Sequence, residues 1–170
     1  MNLKTLFSIL TLSIFIFGCG DDDDNDDPFA GVPSSEIVDV DLRDVTLSGT
    51  ASSSGGRILA VGQKWWKQKV SKVDLSGECG DNEDQEITDG YYYAFYSSGE
   101  YYAKIGKEGT ATRVGSWQWV DSETKEAIFI QSVEFTLRGL NSDELIIASD
   151  QSQATCTAIT WEQFNQPYTE

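Results

Sequence analysis

The amino-acid sequence predicts an all-β protein, a small antiparallel meander that closes into a barrel, with a β-sandwich as the alternative. Two observations carry this prediction. After the N-terminal segment, short runs rich in β-branched and aromatic residues alternate with polar turns at intervals of about ten residues. The same region contains no convincing stretch of three turns in which apolar residues recur at helical spacing.

The first element, residues 1–18, is typical of a signal peptide. Lys4 is followed by an apolar stretch, which is shorter than the roughly 20 residues needed to span a bilayer. The run Ile16-Phe17-Gly18-Cys19 resembles the lipobox of bacterial lipoproteins. In that family the cysteine becomes the first residue of the mature protein and carries a diacylglycerol. The resemblance implies lipidation of Cys19 and attachment to a membrane through it.

The second element, residues 19–35, is predicted to be an acidic, disordered tether. Six aspartates lie within residues 21–27, where they repel one another and cannot be buried. An acidic run directly after the lipidated cysteine resembles the surface-export signal of lipoproteins in the Bacteroidota. The resemblance implies an outer-membrane lipoprotein exposed at the cell surface. A simple spacer on a periplasm-facing lipoprotein is the alternative.

The composition excludes several functions. The chain has 12 Lys and Arg against 28 Asp and Glu, no histidine, and a formal net charge of −16, so nucleic acid is not expected as a partner. Without histidine, neither a Ser-His-Asp nor a Cys-His nucleophile system is possible, and the commonest zinc ligand is missing. We expect no enzymatic activity, no catalytic residue, no cofactor and no metal site. The sequence leaves the oligomeric state open.

The two cysteines outside the lipobox, Cys79 and Cys156, are predicted to form a disulfide. Paired cysteines are typical of exported proteins, which fold in an oxidising compartment. Two free buried thiols are the alternative.

The segment 36–56 has two parts. Apolar and polar residues alternate from Ile37 to Leu47, which predicts an edge strand, and a Ser/Gly-rich linker follows. The barrel domain is therefore expected to begin at about residue 36 or about residue 57, and we assign it residues 57–170. Its first strands lie between Arg57 and Leu75, where Trp65-Trp66 directs one ring to each face, so one ring is expected to be exposed.

A polar, acidic loop is predicted from Gly80 to Asp89, and an aromatic hairpin follows it. The sequence Ser97-Ser98-Gly99 suits a three-residue hairpin loop with the glycine in the left-handed region. Pairing Tyr96 with Glu100 places Phe95 opposite Tyr101. The inward face then collects Tyr91, Tyr93, Phe95, Tyr101, Ala103 and Ile105, and the opposite, wetter face collects Tyr92, Ala94, Tyr96, Glu100, Tyr102 and Lys104.

Five further strands are predicted after this hairpin. They cover Thr112 to Val120, Ala127 to Gln131, Val133 to Leu137, Leu145 to Ala148, and Ala154 to Trp161.

Three segments between Gly62 and Trp161 resemble the small lipocalin-like lipoproteins of the Bacteroidota. They are Phe95 to Tyr101, Gly115-Ser116-Trp117, and Leu140 to Ile147. The resemblance implies an up-and-down barrel whose interior can hold a small apolar molecule. The expected lining consists of Tyr93, Phe95, Tyr101, Trp117 and Trp119. The same aromatic residues can equally fill the barrel as its core.

The expected function is therefore that of a non-enzymatic surface lipoprotein, which binds a small apolar ligand or acts as a surface interaction module. A carbohydrate-binding module is the alternative, because flat aromatic rings stack on sugars. It requires exposed rings in one plane, for which Trp66, Tyr92 and Tyr102 are the candidates.

Overall fold

A computed structural model describes residues 27–49, 62–78, 83–86 and 90–170, with the backbone alone for residues 83–86. Its elements in chain order are α1 (Val40–Ser48), β1 (Lys64–Gly77), β2 (Glu83–Glu86), β3 (Tyr91–Phe95), β4 (Glu100–Ile105), β5 (Thr112–Trp119), β6 (Ala127–Ile130), β7 (Val133–Leu140), β8 (Glu144–Asp150) and β9 (Cys156–Thr169). The predicted signal peptide and residues 19–26 of the acidic tether, Cys19 among them, lie outside the described residues.

The strands form a closed antiparallel barrel. Strands β3 to β9 pair in sequence order, and β1 closes the ring by pairing with β3 on one edge and with β9 along nearly its whole length on the other. Eight of the described strands thus form the wall, while β2 extends the sheet beside the second half of β1. The predicted all-β meander barrel is confirmed, and the sandwich alternative is not.

The aromatic hairpin of β3 and β4 has the predicted register. Phe95 pairs with Tyr101 and Tyr93 pairs with Ala103, and the backbone N–H of Tyr96 donates to the carbonyl of Glu100 at 2.9 Å. Gly99 adopts φ 87°, a left-handed conformation that strains residues with a side chain. Turn chemistry and period-two patterning therefore predict the turn and the register of this hairpin, whereas Ile105, expected on the inward face, is 63% exposed.

The predicted edge strand between Ile37 and Leu47 is wrong for most of its length. Only Ile37 forms an isolated parallel bridge, to Leu140, and the chain then enters α1, which ends at Gly49 in the left-handed region. Leu47 is fully buried in the barrel core. The segment packs over the end of the barrel and buries one side there. This tertiary packing stabilises a helix more than the alternating pattern of the segment favours a strand.

Residues 27–35 are ordered, contrary to the predicted tether. Phe29 and Val32 are buried on the outside of the barrel, in a cluster with Ile146, Ile159 and Trp161. The N-terminal end of this segment is held by an ion pair of 3.0 Å between Arg138 and Asp27. The outer faces of β8 and β9 are apolar, and residues 27–35 cover them.

Two smaller expectations are also corrected. The predicted loop from Gly80 to Asp89 contains β2, which pairs with residues 70–73 of β1. Neither ring of the Trp65-Trp66 pair is exposed, since the exposed fraction is 1% for Trp65 and 0% for Trp66. Trp66 lies inside the barrel and Trp65 lies in a cluster on its outer face.

Candidate functional site

All five predicted lining residues belong to one larger cluster inside the barrel. These residues are Tyr93, Phe95, Tyr101, Trp117 and Trp119. The Phe95 ring lies 4.9 Å from that of Tyr101 and meets the Trp117 ring edge-on at 5.6 Å. The Trp117 and Trp119 rings meet edge-on at 5.7 Å. At this level the aromatic side chains pack against each other, so most of them form core and leave no room between them.

Helix α1 closes the barrel end at which the Phe95, Trp117 and Trp119 rings pack, hereafter the closed end. The Trp66 indole donates to the carbonyl of Leu47 at 2.8 Å, so the helix is joined to the core by a buried hydrogen bond. Asp44 accepts the Trp119 indole N–H at 2.7 Å and the Lys125 ammonium at 2.6 Å. These contacts fix the helix against β1, β5 and the turn before β6.

Lys64 also belongs to the closed end. Its ammonium donates to the carbonyls of Thr46 and Ser142 at 3.0 and 3.3 Å and lies 3.9 Å from the centre of the Trp66 ring. Burial lowers the pKa of Lys64 to about 8, and the nearby Asp143 acts in the opposite direction. The amine ties the helix to the β7–β8 turn, and we assign it a structural role.

The opposite half of the barrel is less completely filled; we call its interior the lumen. Strand pairing directs several side chains into the lumen, and these side chains still retain accessible surface. By contrast, Phe95 and Phe164 near the closed end have no accessible surface. The partly accessible group comprises Ser71, Val73, Tyr93, Ala103, Thr160 and Glu162. A cavity of about 330 Å³ is lined by Tyr91, Ala103, Lys104, Ile105, Thr110, Thr112 and Val114. Small residues such as Ala103 leave this space.

Glu162 is the unexpected residue of the lumen. It pairs with Ile147 of β8 and Ser71 of β1, and since Ile147 belongs to the inner core, the carboxyl group faces inward. Gln68 donates to its Oε2 at 3.3 Å. Burial raises the pKa of Glu162 to about 7, with the Gln68 hydrogen bond acting in the opposite direction. The group therefore changes charge near neutral pH.

Two tyrosine rings lie beside this carboxyl group. The Tyr93 and Tyr101 rings stack with centroids 5.5 Å apart, and the Phe164 ring meets Tyr93 edge-on at 5.8 Å. Burial raises the pKa of both tyrosines, and the charge of Glu162 raises it further. The lumen thus combines aromatic faces with one acidic group, an arrangement suited to a ligand that is mostly apolar but carries a polar end.

The sequence reasoning missed Glu162 because the predicted last strand ended at Trp161. The structure extends β9 to Thr169. The alternation of Thr160, Glu162 and Phe164 was visible in the sequence, and it places a carboxylate on the same face as a core phenylalanine. A charged residue at an inward position of a strand is the signal that finds such a group.

The face of the hairpin predicted to be wetter is instead largely buried. Trp65, Tyr92 and Ala94 form a cluster on the outer face of the barrel. Lys104 is only 5% exposed, with its ammonium 4.1 Å from the centre of the Trp65 ring and 2.5 Å from Oε1 of Glu170. The hydrogen bond from Lys104 is the main reason why the pKa of Glu170 is lowered.

The three rings proposed for carbohydrate stacking do not share a plane. Trp66 is fully buried inside the barrel, while Tyr92 and Tyr102 project from the opposite face of the sheet. Tyr92 is itself buried and only Tyr102 is partly accessible. This arrangement offers no three-ring platform built from those residues.

Of the predicted disulfide, one partner lies in the described part of the chain. Cys156 is disulfide-bonded and sits at the start of β9, opposite Gly77 of β1. Cys79 lies outside the described residues, as does Cys19, so the Cys79–Cys156 pairing and the lipidation of Cys19 stay predictions. Gly77, which pairs with Cys156, precedes Cys79 by two residues in the sequence.

In the described part of the chain, no group of three or more Cys, Asp or Glu side chains is placed to hold a metal ion. No helix within the same residues is long and apolar enough to cross a membrane.

Fold and site together define a closed, eight-stranded meander barrel, plugged by a helix at one end and incompletely filled in the other half. Comparison with protein-family models, curated proteins and solved structures finds no match to this chain.

Proposed function

We propose that the protein is a surface-anchored, non-enzymatic lipoprotein whose lipocalin-like barrel binds a small, largely apolar molecule. The single observation that carries the binding proposal is the unequal filling of the barrel. Packed rings fill the interior at the closed end, and the pocket of about 410 Å³ there is lined by α1 and the ends of β1 and β9 and by none of these rings. In the other half, inward-facing residues such as Ala103 and Glu162 keep accessible surface, and a cavity of about 330 Å³ lies beside Ala103. A barrel whose interior served stability alone would be filled throughout.

The anchoring part of the proposal is supported by the sequence. The lipobox-like run ending at Cys19 supports lipidation, and the aspartates of residues 21–27 support export to the surface. Several acyl chains, each adding about 0.8 kcal/mol per buried methylene, give stable attachment. Residues 27–35 pack on the outside of the barrel, so the proposed tether comprises residues 19–26.

A lumen-filling substitution tests the binding proposal. Ala103 lines the cavity, so Ala103→Trp is expected to occupy the space a ligand would use. Gln118→Trp is the matched control, because Gln118 is exposed on the outer face of β5. The probe is N-phenyl-1-naphthylamine, an uncharged dye that the negative charge of the protein does not repel. The dye is expected to bind the wild type and Gln118→Trp with increased fluorescence, and Ala103→Trp at least about tenfold more weakly. Equal binding by all three proteins would refute a lumen site.

Localisation is tested separately, by protease treatment of intact cells that express the full-length protein. We expect the barrel to be cleaved from the wild type and protected when residues 21–26 are replaced by serine and asparagine. Cys19→Ser is expected to abolish membrane association. Protection of the wild type would favour a periplasm-facing lipoprotein and would leave the binding proposal unaffected.

A further inference from the structure

The lumen contains an acidic group that no cation in the described residues neutralises. The ion pairs of Lys72, Lys104, Arg113, Lys125 and Arg138 all involve other carboxylates. Gln68, a neutral side chain, is the hydrogen-bond donor to Glu162. An unpaired carboxylate in an apolar surrounding is unfavourable, and replacing it by an apolar residue of similar size commonly stabilises a protein. A cationic ligand that entered the lumen would remove this penalty by forming an ion pair with Glu162.

The groups that face Glu162 define what that partner can be. Strand β1 contributes Gln68 and Ser71, β8 contributes Ile147, and β3 and β4 contribute Tyr93 and Tyr101. None of these side chains carries a positive charge, and the two tyrosines are the only titratable groups among them. Together they provide one anionic oxygen pair and the partly accessible ring of Tyr93, with the buried Tyr101 ring stacked against it. A carboxylate beside aromatic faces is the surrounding that an organic ammonium prefers.

The same lumen disfavours an anionic ligand. A fatty-acid carboxylate would meet the Glu162 oxygens, and the formal net charge of −16 would oppose its approach. The cavity, which Glu162 does not line, has Ala103, Ile105 and Val114 in its lining, and the Lys104 ammonium beside it is already paired with Glu170. Tyr93 connects the two regions, because it pairs with Ala103 and senses the charge of Glu162.

We propose that Glu162, Tyr93 and Tyr101 form a head-group site in the lumen, and that the preferred ligand is a small amphiphile with an apolar body and a protonated amine. This inference rests on the proposed ligand-binding function and specifies its chemistry. The amine enters an ion pair with Glu162 and contacts the accessible part of the Tyr93 ring, which Tyr101 supports from behind, while the apolar body occupies the cavity beside Ala103.

Three probes of equal chain length test the head group. Hexylamine, 1-hexanol and hexanoate are titrated into the full-length protein at pH 8 by isothermal titration calorimetry. The alkylammonium stays protonated at this pH, because amines of this kind have a pKa near that of lysine, about 10.4. We expect hexylamine to bind at least about tenfold more tightly than 1-hexanol, and hexanoate to bind most weakly.

A matched pair of variants assigns the preference to one residue. Glu162→Gln keeps the shape of the side chain and removes its charge. The affinities of hexylamine and 1-hexanol for this variant should therefore differ by less than about threefold, with the affinity for 1-hexanol unchanged from the wild type. Glu134→Gln removes the same charge from an exposed position on β7, and the advantage should remain. Titration at pH 5.5, where Glu162 is protonated, should reduce hexylamine binding to the level seen with Glu162→Gln.

The results of these titrations distinguish failure of the head-group site from failure of ligand binding in the lumen. Equal binding of hexylamine and 1-hexanol, or an amine preference that survives Glu162→Gln, overturns the head-group site and leaves ligand binding in the lumen intact. Failure of all three probes to bind, together with failure of the uncharged dye, overturns both.

Discussion

Replacement of Glu162 by glutamine should change the pH dependence of stability in a calculable direction. Burial raises the pKa of Glu162 from 4.5 to about 7, so the folded protein holds this proton more tightly than the unfolded chain. The stability that the proton confers is complete below pH 4.5 and is lost as the pH rises through 7. Wild-type stability therefore falls relative to that of Glu162→Gln across this window.

The magnitude follows from the size of the shift. A shift from 4.5 to about 7 corresponds to at most about 3 kcal/mol, at about 1.4 kcal/mol per pH unit. Glu162 as a residue is only partly buried, and any water that reaches its carboxyl group would reduce the penalty. We therefore compare the free energy of unfolding of Glu162→Gln with that of the wild type. The difference in favour of the variant should be larger at pH 8 than at pH 4.5 by about 1 to 3 kcal/mol.

Urea unfolding followed by tryptophan fluorescence measures this difference. Midpoints and slopes are determined for both proteins at pH 4.5, 6 and 8, and taking the difference cancels the other titrating groups. Glu134→Gln serves as control, and its difference from the wild type should stay constant because Glu134 is exposed. A constant difference for Glu162→Gln as well would mean that the carboxyl group is fully hydrated, and the argument from burial would then be wrong.

Three further changes test how the fold is held. Asp44→Ala removes the acceptor of the Trp119 indole and the partner of Lys125, and it should lower the free energy of unfolding by about 1 to 3 kcal/mol in urea titrations. Gly99→Ala places a Cβ atom at φ 87° and 3.3 Å from the carbonyl oxygen of Trp117, which should cost about 1 kcal/mol or more by the same assay; no loss would show that the turn relaxes. Cys79→Ser should abolish a disulfide-linked peptide in non-reducing mass maps and lower stability by about 4 kcal/mol, whereas an unchanged map would assign Cys156 another partner.

Local patterns were sufficient for much of the barrel wall. The turn and the register of the hairpin of β3 and β4 were predicted, because a glycine in the left-handed region sets the turn and period-two alternation sets the register. The predicted starts of β5 and β6, at Thr112 and Ala127, coincide with the structure. These features depend on residues that are close in the chain, so the sequence contains the information directly.

The helix was missed because two patterns coexist in one segment. Residues 37–47 alternate as a strand does, but Val38, Leu42 and Val45 are also spaced by four and three, as on one face of a helix. The choice between them depends on the open end of a barrel that forms from residues far along the chain. No local propensity decides that competition.

The outer clusters were missed for a related reason. Alternation shows that a strand has two faces, but it does not show which elements will cover the outer one. Residues 27–35 and Lys104 cover outward-facing apolar side chains, and each is separated from its partners by many residues. Lys104 in particular reads as a solvent-exposed lysine until the strand that brings Trp65 beside it is known.

Glu162 affects both the stability of the barrel and its proposed function. Strand pairing forces its side chain inward, next to Ile147 and two residues before the fully buried Phe164. If the lumen served only to stabilise the barrel, an apolar residue at this position would fill it without a desolvation penalty. The stabilising half of the interior, around α1, contains no such group among the described residues. The unfavourable carboxylate therefore lies in the half of the barrel where space remains, which is where a ligand that supplies the missing charge would restore the balance.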